Sequence, residues 1–302
     1  MKIEKEIIAV GEILFDCYPN YKVLGGAPFN FIYHIWRLSG KGKLISRIGD
    51  DELGNEILDR LNSENFDTDF IQIDKYRKTG RVYIKLNNEK VPEFIIEDNA
   101  AYDFISLIKK AKEYITNEAG LIYFGSLAQR NKVSRNTIRK LFNNNSKFFF
   151  DINLRQNFYT KKILSNSLLN SDIVKVNEDE LKIINNLLLK TDYDLIKISQ
   201  QLIKEFKIEL LCVTLGEEGA VLMKKQKISK HKHVVENIKD TVGAGDAYSA
   251  VLCIGYLLQW ELNKINTIAS EFAADICTIN GAIPKDKTFY NKYIEVINNE
   301  QN

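Results

Sequence analysis

Short apolar runs of strand length alternate with stretches of helical periodicity along most of the chain, and this order restricts the fold more than any other property of the sequence. Ile7-Ile8-Ala9-Val10, closed by Gly11, has the length and composition of a buried central strand. Behind Pro28, Phe29, Ile32, Tyr33 and Trp36 recur at three- and four-residue spacing, which predicts a helix over 28–38 with the proline near its first turn. A strand at 44–48 and a helix at 53–61, with Ile57 and Leu58 inward, continue the pattern. From Ile105 onward it resumes, with strands expected at 121–124, 148–150, 173–176 and 210–215. Such an order implies a mainly parallel sheet covered by helices.

Between about residues 69 and 97 the helical period lapses. Val82, Ile84 and Leu86 alternate with Arg81, Tyr83 and Lys85, and the turn residues Asn87-Asn88 precede a second extended run, Phe94-Ile95-Ile96. This reads as a hairpin in a small sheet with one exposed face. With the segment at 12–25 it would form a lid, at about 12–25 and 69–100, inserted in one domain spanning 1–302. Val82, Ile84, Leu86 and Phe94 are more apolar than a sheet facing water should be, so a homodimer through the lid is expected. The stretch 247–260 is apolar on nearly every side and is expected as a buried helix.

Composition narrows the class of partner. Of 302 residues, 45% are apolar and 27% charged, the profile of a globular protein. The 42 Lys and Arg against 40 Asp and Glu leave +2, which gives no support to nucleic-acid or anionic-membrane binding. Cys17, Cys212, Cys253 and Cys277 are widely separated, with no metal-ligand spacing, and are expected as buried reduced thiols. Glu4, Glu6 and Glu12 interrupt any secretory apolar core, and 247–260 is shorter than the ~20 residues of a membrane span. A cytoplasmic location is expected. His34, His231 and His233 are expected on helix faces or the surface.

Chemistry concentrates in Asp240-Thr241-Val242-Gly243-Ala244-Gly245-Asp246-Ala247-Tyr248. Small residues just before an apolar helix let backbone N–H groups converge where the helix dipole favours an anion, and a phosphate is the natural guest. Asp246 in that first turn could take a proton from an alcohol aligned with the phosphate. Taken alone, the stretch is equally consistent with a tight turn whose Asp246 only caps a helix. The pattern GxxxxGK[ST] is absent, and GxGxxG fails at Tyr248.

The stretch 240–246 resembles the signature of the ribokinase (PfkB) family of carbohydrate kinases, and further matches follow in order along nearly the whole chain. They are Gly11-Glu12 with Asp16, Gly25-Gly26-Ala27-Pro28 with Asn30, the block 47–54, Asn177-Glu178-Asp179-Glu180, and Thr214-Leu215-Gly216-Glu217-Glu218-Gly219. Gly26-Ala27-Pro28, Ala101-Tyr102-Asp103-Phe104-Ile105 and Asp151-Ile152-Asn153-Leu154-Arg155 are most similar to the fructokinase subgroup. Tyr102 replaces a usual Trp, and Phe29 a residue that is often smaller. The resemblance implies a ribokinase-like three-layer α/β/α fold, Rossmann-like with a mainly parallel sheet, and a small β-sheet lid. It implies ATP-dependent transfer of the γ-phosphoryl group to a sugar hydroxyl, with fructose as first substrate. Ribose, 2-keto-3-deoxygluconate or a nucleoside are the alternatives, as is a non-catalytic sugar- or nucleotide-sensing regulator.

On the matched positions, the resemblance makes Asp246 the base and the amides of Gly243, Ala244 and Gly245 the cradle of the transferring group. Asp16, Gly25, Gly26, Asn30 and Arg155 would meet the sugar; the competing reading is a strand-to-helix turn for the glycine pair, a helix-start hydrogen bond for Asn30, and a surface salt bridge for Arg155. Asn177, Thr214, Gly216, Gly219, Thr241 and Asn280 would hold the nucleotide. Glu180 would act on Mg²⁺ through water, unless 178–180 is only an acidic first turn. Asp240 and the loop at 280–282 resemble places that hold a monovalent cation, so potassium is a further cofactor the resemblance allows.

Overall fold

A computed structural model describes residues 3–86 and 92–299. In chain order the strands are β1 (Glu6–Val10), β2 (Leu14–Cys17), β3 (Lys22–Gly25), β4 (Gly42–Gly49), β5 (Ile71–Asp74), β6 (Gly80–Leu86), β7 (Pro92–Ile96), β8 (Ala119–Phe124), β9 (Lys147–Asp151), β10 (Ile173–Asn177), β11 (Leu210–Thr214), β12 (Ala220–Lys224) and β13 (Lys227–His231). Nine of them form one sheet in the order β13-β12-β11-β10-β9-β8-β1-β4-β5, parallel from β11 to β5 and closed by the antiparallel β12–β13 hairpin.

Both faces of this sheet are covered. Ile7 and Ala9 of β1 point into one core with α1 (Ala27–Ser39) and α2 (Glu52–Ser63), whereas Ile8 and Val10 point into the other. That second core is built by α3 (Lys109–Glu118), α4 (Lys132–Leu141), α5 (Lys161–Leu169), α6 (Glu178–Ile184) and α7 (Leu195–Phe206). α8 (Ala244–Leu257), α9 (Leu262–Ile276) and α10 (Asn291–Asn299) complete the first. The period-2 alternation of a strand buried on both sides therefore feeds two helical layers, giving the expected three-layer α/β/α architecture. α8 is buried from Ala247 to Tyr256 because α1, α9 and the sheet enclose it, as its unbroken apolar run requires. Among the described residues, no helix is long and apolar enough to cross a membrane.

From β1 the chain proceeds to β4 on one side and returns later to β8 on the other. In open parallel sheets, ligands collect outside the strand carboxyl ends at such a reversal. β2 follows β1 directly across that end, so the small sheet, ordered β3-β2-β6-β7, starts at the mouth of the crevice. Asp51 anchors its second limb: its carboxylate accepts from Gly54 N at 2.9 Å, Thr79 N at 2.9 Å and Thr79 Oγ1 at 2.7 Å, tying the α2 start to the residue before β6.

The small sheet is narrower than the expected 12–25 and 69–100. β5 lies inside the second segment but pairs with β4 in the large sheet, where Ile71 is buried and Ile73 exposed as on an edge strand. Val82 and Ile84 are buried in the chain's own second core, and among the described residues of β6 and β7 the exposed large apolar side chains are Tyr83, Phe94 and Ile95. The turn expected at Asn87-Asn88 lies outside the described residues. His34, expected on a helix face or the surface, is fully buried with Nδ1 3.0 Å from the Tyr290 hydroxyl, and burial pushes its pKa down to about 3.

Candidate active site

The first turn of α8 opens at Gly243, whose φ of 80° is a conformation that glycine adopts without strain. A Cβ there would lie 2.2 Å from Ala282 Cβ, so the 240–243 loop packs directly on the 280–282 loop. Asp240 fastens the same junction, its Oδ1 accepting from Val242 N and its Oδ2 from Gly281 N, both at 3.0 Å. Each oxygen accepts one of these bonds and keeps a lone pair, which a monovalent cation held here would share with backbone carbonyls. The Ala244 amide donates to Thr241 O at 3.3 Å, which makes it a weaker candidate for the anion cradle than Gly245 and Asp246, whose amides are of the kind a helix start leaves without an intrahelical acceptor. Thr241 and Asn280 are exposed on these two loops, and Asn280 also lines a groove of about 380 Å³ with Lys239, Ile279 and Phe289.

Asp246 points from this turn toward α1, where its Oδ2 accepts from Asn30 Nδ2 at 2.8 Å. Asn30 is 5% exposed and its Oδ1 is buried without a partner among the described residues, so it is no simple helix-start bond. Burial is the main cause that raises the Asp246 carboxyl to about pKa 7, helped by the nearby Asp151 charge; Asn30, Lys175 and Arg155 act the other way. A carboxyl so placed can exchange a proton near neutral pH.

Gly26 caps α1 with φ 112°, and a Cβ on it would meet Glu12 O at 2.6 Å. A Cβ on Gly25 would come within 3.1 Å of Asp16 Oδ2, so the glycine pair brings β3 and the Asp16 carboxylate close together. Asp16 projects from β2, its pKa raised to about 6 by burial and restrained by Arg155. Arg155 itself is exposed, and its charge acts on Asp16, Glu12 and Asp246 together. The five expected sugar residues therefore gather around the α1 start and the small sheet.

Four of the six expected nucleotide residues lie farther along the same end of the sheet, apart from Thr241 and Asn280. Asn177 ends β10 opposite Thr214 of β11, and Gly216 and Gly219 shape the turn into β12. Gly219, at φ 87°, would place a Cβ 2.0 Å from His231 O, whereas Gly216 has nothing within 4 Å and faces open space. Asn177 and Glu180 form a reciprocal cap on α6, with Asn177 Oδ1 accepting from Glu180 N at 2.8 Å and Glu180 Oε2 from Asn177 N at 2.9 Å. Glu180 Oε1 also accepts from Leu154 N at 2.7 Å, which fixes the strand end carrying Arg155. Each Glu180 oxygen keeps one lone pair, which suits contact with a hydrated Mg²⁺ through water. Among the described residues no group of three or more His, Cys, Asp or Glu could cage a metal directly.

Buried charged side chains to which the motifs assign no role lie beneath these residues. Lys175 of β10 holds Asp151 of β9 with Nζ 2.9 Å from both carboxylate oxygens, and both residues are buried. Asp151 Oδ2 also accepts from the Tyr123 hydroxyl at 3.1 Å and from Ser249 Oγ at 2.7 Å. Glu12, 3% exposed, has a pKa raised by burial to about 7, with Oε2 lacking a partner among the described residues. The available signals were a lysine inside the apolar run Ile173-Val174-Lys175-Val176 and a glutamate just past the glycine that closes the central strand.

Comparison with known proteins places this geometry. The pattern of the pfkB family of carbohydrate kinases matches residues 6–288. A Pyrococcus horikoshii protein named as a sugar kinase is 31% identical over 272 residues, covering 86% of this chain and 81% of its own. Its crystal structure with ATP superposes with a TM-score of 0.81 over 96% of this chain and 99% of that one. An Escherichia coli fructokinase is 26% identical over 272 residues, 86% of this chain and 87% of its own. The Vibrio cholerae fructokinase, crystallised with fructose, ADP and calcium, shares the fold with a TM-score of 0.77 at 23% identity, over 96% and 99% of the two chains. On the family match over residues 6–288 and the 31% identical relative, the chain belongs to the pfkB family of carbohydrate kinases.

Proposed function

We propose that the protein transfers the γ-phosphoryl group of ATP to a sugar hydroxyl, and that the sugar is fructose, giving fructose 6-phosphate. The observation that carries this reading is Asp246, in the first turn of α8 beside Gly245 and bonded to Asn30 across the crevice. As the sugar oxygen forms its bond to phosphorus, the bond to the ADP oxygen breaks and the hydroxyl proton passes to Asp246. The amides at the α8 start stabilise charge on the transferring group. Asp16, the Asn30 carbonyl oxygen and Arg155 bind the sugar against the Gly25-Gly26 backbone. Asn177, Thr214, Gly216, Gly219, Thr241 and Asn280 line the nucleotide's path. Mg²⁺ bound with the nucleotide would neutralise phosphate charge, and Glu180 would meet its hydration shell.

Fructose is supported by the named fructokinases among the relatives and by the segments 26–28, 101–105 and 151–155. Tyr102, buried with its hydroxyl unpartnered among the described residues, stands where that subgroup usually has Trp. A panel of fructose, ribose, 2-keto-3-deoxygluconate and nucleosides tests the assignment, and fructose is expected to give the highest kcat/KM. Faster turnover of a nucleoside or of the keto acid contradicts it.

The reading extends to a homodimer covering Tyr83, Phe94 and Ile95, which are 37%, 53% and 46% exposed. Light scattering at micromolar concentration is expected to give twice the chain mass; a single-chain mass contradicts it. A cytoplasmic location accords with the four free cysteines, of which Cys212, Cys253 and Cys277 are buried.

A further inference from the structure

The Lys175–Asp151 pair is costly to bury, and the large sheet has ample apolar packing without it. Its location is specific. Lys175 Nζ lies 3.4 Å from the point a Cβ on Gly245 would occupy, directly beneath the first turn of α8. Ser249, one turn farther along α8, has Oγ 2.7 Å from Asp151 Oδ2 and 2.9 Å from the Gly245 carbonyl oxygen, so one hydroxyl proton is shared between them. Tyr123 of β8 donates to the same carboxylate. Three neighbouring strands and the helix start are thereby joined through charged and hydroxyl groups below the residue that carries Asp246.

We propose that the buried Lys175–Asp151 pair is a positioning device that tunes Asp246 as a proton acceptor and holds the α8 start in register with the sheet. The inference rests on Asp246 being the base. The groups facing Asp246 are Asn30 from α1, Glu12 from the segment after β1, Tyr123 from β8, Asp151 from β9, Arg155 from the segment after β9, and Lys175 from β10. The two members of the pair act on Asp246 with opposite sign. Asp151 favours its protonated form and Lys175 its carboxylate. Burial disfavours the Lys175 ammonium, but Asp151, Asp246 and Glu180 outweigh this and hold its pKa above the ordinary lysine value. The cation therefore remains in place through neutral pH.

The test is a titration of the Asp246 carboxyl carbon by NMR of protein labelled with ¹³C-aspartate, the resonance assigned by its loss in Asp246→Asn. Lys175→Met leaves the Asp151 charge uncompensated, and the Asp246 midpoint is expected to rise by about one pH unit. Asp151→Asn frees the ammonium, and the midpoint is expected to fall by about the same amount. Tyr123→Phe keeps the ring that stacks on Phe31 at 3.8 Å and removes only the hydroxyl, so a smaller rise is expected in a variant that retains the packing. The acid limb of kcat/KM is expected to move in the same order. Midpoints that stay fixed, or that move the same way in Lys175→Met and Asp151→Asn, overturn the proposal. If Lys175→Met does not fold, the opposite shifts of Asp151→Asn and Tyr123→Phe decide it. The titration needs no turnover, so absence of kinase activity would refute the proposed function without touching this result.

Discussion

Asp246→Asn is expected to lower kcat by about 10³-fold or more, at the upper part of the range for loss of a general base, while the fold persists. The amide is nearly isosteric with the carboxyl, and its oxygen can still accept from Asn30 Nδ2, which now lies 2.8 Å away. What the variant loses is the capacity to take the sugar proton. Because burial raises Asp246 to about pKa 7, the active carboxylate forms only as pH rises through that value. Wild-type kcat/KM is therefore expected to climb between pH 6 and 8. Glu12 near 7 and Asp16 near 6 titrate in the same window, so the limb should be steeper than a one-proton curve and should report the cluster.

The same group makes a prediction for stability, with a definite sign. The folded Asp246 pKa lies above the ordinary 3.8, so between these values the native state holds a proton that the unfolded chain has released. Stability then falls as pH rises through this interval, and the penalty is complete above about 7. Asp246→Asn removes it. Thermal unfolding is expected to show the variant at least as stable as wild type at pH 8, with the advantage shrinking toward pH 4. A catalytic group held against its solvation preference commonly has this signature. A variant markedly less stable at pH 8 would show that the carboxylate serves the fold instead.

The second large effect separates two glycines of the same turn. Gly243→Ala forces a side chain into φ 80° and 2.2 Å from Ala282 Cβ, so the 240–243 and 280–282 loops must part. A loss of about 2 kcal/mol in stability is expected from strain of this kind, with activity falling as the helix start shifts. Gly245→Ala meets only Lys175, at 3.4 Å from Nζ, in helical backbone where Ala is favoured over Gly. Its stability is expected to be unchanged or raised, yet the added methyl obstructs the phosphate's approach, and kcat should fall by about 10²-fold, the scale of losing one oxyanion donor. Denaturant melts and turnover measured on both variants check the split. Equal damage to stability in the two would contradict it.

The parts of the molecule that were legible in the sequence are those written in local periodicity. β1 and α1 stand out because Ile7 to Val10 and the Phe29, Ile32, Tyr33, Trp36 spacing each bury one continuous pattern. The 240–246 stretch is legible because its small residues precede an unbroken apolar helix. What escaped depends on register between distant segments. Ile71 and Ile73 alternate like a lid strand, and only the pairing of Ser46 with Ile71 assigns β5 to the large sheet. Lys175 looks like a stray charge in an apolar run until β9 brings Asp151 beside it. Glu180 reads as a metal residue, but its two oxygens also hold the α6 cap and the Leu154 amide, a double use that no spacing reveals.

The central claim is that the crevice at the α8 start catalyses phosphoryl transfer with Asp246 as the proton acceptor. A coupled ADP-release assay over the sugar and nucleoside panel, run on wild type and Asp246→Ala side by side, tests it most directly. Sugar-dependent ADP release by wild type and its loss in the variant, with nucleotide still raising the thermal midpoint of both, is the predicted result. Clear stabilisation by sugar or nucleotide without turnover of any compound in the wild type would contradict the claim and mark the protein as a sensor built on a kinase fold.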